Sequence, residues 1–77
     1  MIGRVVLHEE RASANYWIRR VRRRRTAEES WEVLEAESRL TVATGLGDRE
    51  EAVRMIRGWE RLSQRLEGGL AGHVLLH

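Results

Sequence analysis

Six arginines stand within seven consecutive positions, Arg19-Arg20-Val21-Arg22-Arg23-Arg24-Arg25, and they are the residues of this chain best suited to chemistry. Each guanidinium is a planar fork of N–H donors that matches the paired oxygens of a phosphate or a carboxylate, so the run suits anion binding. Tyr16 and Trp17 adjoin it and offer flat faces on which a base could stack or a protein contact could anchor. The candidate binding site is therefore Tyr16, Trp17, Arg19, Arg20, Arg22, Arg23, Arg24 and Arg25, with a nucleic acid or an acidic protein surface as partner.

Other chemistry finds little footing. The chain has no G-x-S-x-G, no Walker A sequence and no H-E-x-x-H, and without cysteine it has no C-x-x-C site. Gly45-Leu46-Gly47 precedes a helix start, the general geometry for cradling a phosphate, but Asp48, Glu50 and Glu51 follow it and would repel one. It reads as a tight turn. His73 and His77 are four apart but lack a third ligand and a glycine-free helix. No catalytic residue, cofactor or metal ligand is nominated, and a non-enzymatic binding protein is expected.

The charge is unevenly placed. Residues 1 to 25 hold eight arginines against two carboxylates, or +6, and residues 26 to 77 hold six arginines against ten carboxylates, or −4, within a total of +2. No lysine is present, so the basic end consists wholly of bidentate groups. At 77 residues one domain, 1–77, is expected, with a small core and no disulfide to reinforce it. The longest apolar runs, Val5 to Leu7 and Val74 to Leu76, fall far short of the ~20 residues of a membrane span, and no signal-peptide core follows Met1. A cytoplasmic protein with no membrane contact is expected.

These residues need elements to position them. Asp48 is a good N-cap with Glu51 in capping-box position, and Ala52, Met55, Ile56, Trp59, Leu62 and Leu66 recur at helical spacing, which predicts a helix over 48–66 closed by Gly68-Gly69. Before it, Leu34, Ala36, Leu40, Val42 and Leu46 share one parity, which predicts two strands with Leu34 opposite Val42 and Ala36 opposite Leu40. In a strand through 15–25, Trp17 and Val21 would face inward and Tyr16, Ile18, Arg20, Arg22 and Arg24 outward. The runs Arg4 to His8 and His73 to His77 suit edge strands, paired with each other or with a second copy.

The expected fold class is α+β, a small antiparallel sheet of about three strands packed by one C-terminal amphipathic helix. Residues 1–14 would be an N-terminal segment or edge strand, 15–47 strands, 48–66 the helix, and 67–77 a C-terminal tail or edge strand. The competing fold is an all-α three-helix bundle, because Thr26-Ala27-Glu28-Glu29 is also a capping box and residues 27–37 are rich in helix formers.

The succession Tyr16-Trp17-Ile18-Arg19-Arg20-Val21, Trp31-Glu32-Val33-Leu34, Leu40-Thr41-Val42-Ala43 and Asp48-Arg49-Glu50-Glu51-Ala52, with Trp59 beyond, resembles the arm-site DNA-binding domains at the N-termini of tyrosine recombinases. The resemblance covers residues 15–62. It implies a three-stranded sheet plus helix whose sheet enters the major groove, and it nominates Tyr16, Arg20, Arg22 and Arg24. The acidic second strand, with Glu32, Glu35 and Glu37, departs from that pattern.

The functional expectation is a small nucleic-acid-binding protein or regulator, encoded by a phage or mobile element of a high-GC host, since arginine codons are richer in GC than lysine codons. The alternative is a protein-interaction module, such as a phage-encoded inhibitor of a host machine or an anti-CRISPR, which docks its arginines on an acidic surface as a homodimer.

Overall fold

The computed structural model describes residues 3–75, with side chains through residue 65. Four strands, β1 (Arg4–Arg11), β2 (Tyr16–Arg23), β3 (Glu29–Glu35) and β4 (Thr41–Leu46), precede one helix, α1 (Arg49–Leu75). They form one antiparallel meander in the order β1-β2-β3-β4, so the fold is α+β and not the all-α bundle. The expected three strands are joined by β1, which is an edge strand paired with β2 and not with the C-terminal run. Of that run, His73 to Leu75 belong to α1 and residues 76–77 lie outside the described residues. Among the described residues no helix is long and apolar enough to cross a membrane.

Two hairpin turns of one kind set the register. Arg23 N–H bonds Glu28 O and Ala27 N–H bonds Arg23 O, and in the same way Glu35 N–H bonds Leu40 O and Arg39 N–H bonds Glu35 O. Each turn therefore encloses four residues, and the last of each, Ala27 (φ 61°) and Arg39 (φ 63°), sits in the left-handed region. The larger turn shifts the expected β3–β4 register: Leu34 pairs with Thr41 and Val33 with Ala43. Leu40 consequently follows the turn, opposite Glu35, and Leu40 and Val42 are exposed, not core. Thr26, expected as a helix cap in the competing fold, instead accepts a hydrogen bond from Glu28 N–H inside the turn.

A bulge precedes the helix. Two residues, Thr44 and Gly45, intervene between Ala43 and Leu46 where β3 has only Glu32, and Gly45 takes φ 71° to allow it. Asp48 then caps α1 by accepting Glu51 N–H at 2.8 Å, as expected, while the Glu51 carboxylate reaches back to Gly47 N–H at 2.8 Å. The helix continues through Gly68-Gly69, where its end was expected, to Leu75.

The core lies between α1 and one face of the sheet. Ile18, Val33, Leu46, Ala52 and Ile56 are its buried centre, ringed by Ala12, Tyr16, Trp31, Ala43, Val53, Met55 and Trp59. This reverses the expected facing of β2: Tyr16, Ile18, Arg20 and Arg22 are on the helix side, and Trp17, Arg19, Val21 and Arg23 are on the other. The reversal has a physical reason, because both faces of β2 bury apolar residues. Val21, Leu34 and Glu32 are nearly inaccessible although no helix covers them. Arginines cover them instead. Arg4 on β1 reaches Glu32 on β3 and must pass over β2, and Arg39 in the β3–β4 turn reaches back to Glu9 on β1 across Trp17. Their aliphatic stems take the place of a second layer.

Candidate nucleic-acid interface

Register decides which arginines are occupied. Arg19 lies opposite Glu32 across β2 and β3, and its Nε and Nη2 donate to Glu32 Oε1 at 3.2 and 2.9 Å. Arg4 supplies the other Glu32 oxygen, and Glu9 lies 3.9 Å from Arg19 while accepting two 2.9 Å bonds from Arg39. Arg20 meets Glu29 at 3.7 Å, a diagonal neighbour on the helix side. On the same side Arg49 pairs with Glu10, which also bonds His8 at 3.1 Å. The His8 hydrogen bond, with the Arg49 guanidinium beside it, holds the Glu10 carboxyl below its ordinary value.

Arg22, Arg23, Arg24 and Arg25 are different. All four are exposed at the end of β2 and in the turn after it, and no carboxylate among the described residues lies within ion-pairing distance of them. Backbone bonds make the tip rigid: besides the turn closure, Arg24 N–H donates to Gly3 O at 2.6 Å and ties the hairpin to β1. Arg23 stands directly across from Arg4 on the same face, and of the two only Arg4 is ion-paired, with Glu32. Like charges placed opposite one another are destabilising, and an anion bound at the tip would relieve this. The result is a hairpin with four uncommitted guanidiniums at one end of the sheet.

The two aromatic candidates are not with them. Tyr16 is at the opposite end of β2, roughly 20 Å from Arg22 by strand rise, and packs on Trp59 at 5.5 Å. Trp17 is also at that end, between the guanidiniums of Arg11 at 5.5 Å and Arg39 at 5.1 Å, so its ring already has cations over it. Nearby is an open cleft lined in part by Glu35, Glu37 and Glu60, with Glu60 held by Ser13 and Asn15. Its acidic lining does not suit a polyanion. Of the eight nominated residues, the structure thus gathers Arg22 to Arg25, places Arg19 and Arg20 in ion pairs, and sets Tyr16 and Trp17 apart.

Sequence reasoning passed over Arg4, Glu32 and Arg39, which build the face away from the helix. A signal was present: a four-residue turn at 24–27 puts Arg23 opposite Glu28 and hence Arg19 opposite Glu32. The face nominated through the arm-site resemblance also changes, because Tyr16 and Arg20 lie on the helix side while Arg4, Trp17, Arg19 and Arg23 lie on the uncovered side. No protein-family model, curated protein or solved structure matches this chain, so the functional reading follows from its own residues.

Proposed function

We propose that this chain is a nucleic-acid-binding protein that engages phosphates through the β2–β3 hairpin, with Arg22, Arg23, Arg24 and Arg25 as the contacting residues. One observation carries the reading: among the described residues Arg22 to Arg25 are four consecutive exposed guanidiniums at the hairpin tip with no ion pair, whereas Arg4, Arg19, Arg20, Arg39 and Arg49 are ion-paired, Arg11 bonds backbone carbonyls, and the other arginines without an ion pair, Arg54, Arg57, Arg61 and Arg65, are spaced along α1. A rigid β-ribbon bearing arginine is a shape that enters nucleic-acid grooves. An arm-site-like, phage or mobile-element regulator is consistent with this and remains part of the proposal. Both edge strands are bulged, which interrupts the flat row of backbone groups that edge-to-edge joining of two copies requires.

Fluorescence anisotropy with a mixed-sequence duplex and a single strand at ~50 mM salt tests it, since non-specific phosphate contacts are strong there. Four phosphate contacts predict a loss of roughly a hundredfold in affinity between about 50 and 200 mM salt. Replacing Arg22, Arg23, Arg24 and Arg25 by glutamine should reduce the slope of log affinity on log salt by about 3. Failure of both polymers to bind would end the reading, and capture of an acidic protein from a nuclease-treated lysate would put carboxylates in the place of phosphates.

A further inference from the structure

We infer that His8 and Trp31 form a stacking corner for an unpaired nucleobase beside the arginine hairpin, so that the polymer it prefers is single-stranded. This rests on the nucleic-acid reading above and names the class of polymer. The residues lie in one row across the helix side of the sheet, His8 on β1, Arg20 on β2 and Trp31 on β3. Helix α1 starts below that row, where Arg49 meets Glu10 and Ala52 meets Ile18 and Val33, and runs away from it toward Tyr16. Trp31 thus packs at the helix edge of the core, while His8 and Arg20 in its row, and Arg22 and Glu29 in the next row toward the tip, remain exposed or half-exposed.

The two rings stand at 72° with centroids 6.1 Å apart, so one forms a floor and the other a wall. His8 keeps 47% of its side chain in solvent, and Trp31 is half-buried. The Arg20 stem runs beneath this pair in the same row; its Nε is buried without an acceptor among the described residues, and its Nη1 reaches Glu29. Two residues along the strands, roughly 7 Å away, the uncommitted arginines begin with Arg22. A ligand reaching both features must carry regularly spaced anionic groups and flat rings. That is a nucleic-acid strand, and its rings are free to stack only where they are unpaired. Tyr16 and Trp17, the aromatic residues beside the arginines in sequence, do not serve because they lie at the far end of the sheet.

The test compares a labelled single strand of roughly 12 nucleotides with the corresponding duplex, using the full chain, Trp31→Leu and His8→Ala. Leucine keeps apolar volume under the helix edge while removing the ring, and circular dichroism verifies that the variant is folded. If it is not, His8→Ala at an exposed position carries the test. The expected result is tighter binding of the single strand by the unaltered chain, a roughly five- to tenfold loss of single-strand affinity in each variant, and unchanged duplex affinity. Unchanged single-strand affinity in the folded variants, or a duplex bound as tightly as the single strand, overturns the stacking corner while leaving the arginine hairpin as a phosphate site. If neither polymer binds the unaltered chain, both readings fall together.

Discussion

Glu32 offers the sharpest test of how the face away from the helix is held. Its side chain is 3% exposed and accepts bonds from Arg4 and from two nitrogens of Arg19, whereas Arg19 is 16% and Arg4 45% exposed. The costs of deleting the two partners should therefore differ. In Arg19→Met the buried carboxylate keeps only Arg4; a buried charge with no partner costs about 3–5 kcal/mol, and with Arg4 retained the cost should fall at the low end, about 3 kcal/mol. In Glu32→Met the buried charge disappears, Arg4 turns to water and Arg19 turns to Glu9, already 3.9 Å away, so the cost should be about 1–2 kcal/mol. The double variant should cost little more than Glu32→Met, which gives a coupling of roughly 2–3 kcal/mol. Urea unfolding at ~15 °C, near the usual maximum of stability, suits a chain with little stability in hand. Equal costs for the two single variants, or strict additivity in the double, would refute the idea that Glu32 is the group stranded by losing its partner.

Two further outcomes follow from local geometry. Ala27 holds φ 61° on the exposed turn, where a Cβ costs roughly 1 kcal/mol or more, so Ala27→Gly should stabilise the fold by about 0.5 kcal/mol after glycine's entropy penalty, and an unchanged or lower urea midpoint would contradict the strain. Glu10 has its folded pKa lowered below 4.5 by the His8 hydrogen bond and by Arg49, so its stabilising contribution is fully present above that value and is lost as pH falls through the lowered folded value; Glu10→Gln should be less stable than the unaltered chain at pH ~7, and the gap should close in acid.

The helix start was legible because its chemistry is local: Asp48 and Glu51 satisfy backbone N–H groups within one turn of themselves. The strands of β2 to β4 were legible from period-2 patterning, and β1 in part. The facing of β2 was not, since Ile18 is buried on the helix side and Val21 on the opposite side, where Arg4 crosses from β1 to Glu32, so apolar residues occupy both parities. The β3–β4 register slipped for a related reason. Leu40 looks like a core residue by parity, but the turn admits a non-glycine residue in the left-handed region at Arg39 and so takes four residues instead of three. In the candidate site, composition pointed to the arginine run, while the division into paired and unpaired arginines depended on that register.

The same division bears on the acidic β3, the feature least suited to a phosphate partner. Glu32 is buried and bonded to two arginines, and Glu29 faces Arg20, so neither presents a bare charge to a polyanion near the tip. Glu35 and Glu37 lie at the far end of the sheet beside the Tyr16 cleft. Strand direction therefore separates charges that adjoin in sequence: β2 ends, and β3 begins, at the basic tip, and β3 then carries its remaining carboxylates away from it. The screening length at physiological salt is ~8 Å, and seven strand residues span more than twice that, so the distant glutamates weigh little on a phosphate at Arg22 to Arg25. Glu28 is the exception, exposed at the turn itself. Its repulsion acts directly on a phosphate at the tip, so Glu28→Gln should tighten binding at ~50 mM salt severalfold and lose this advantage by ~200 mM; no gain at low salt would place the phosphates elsewhere.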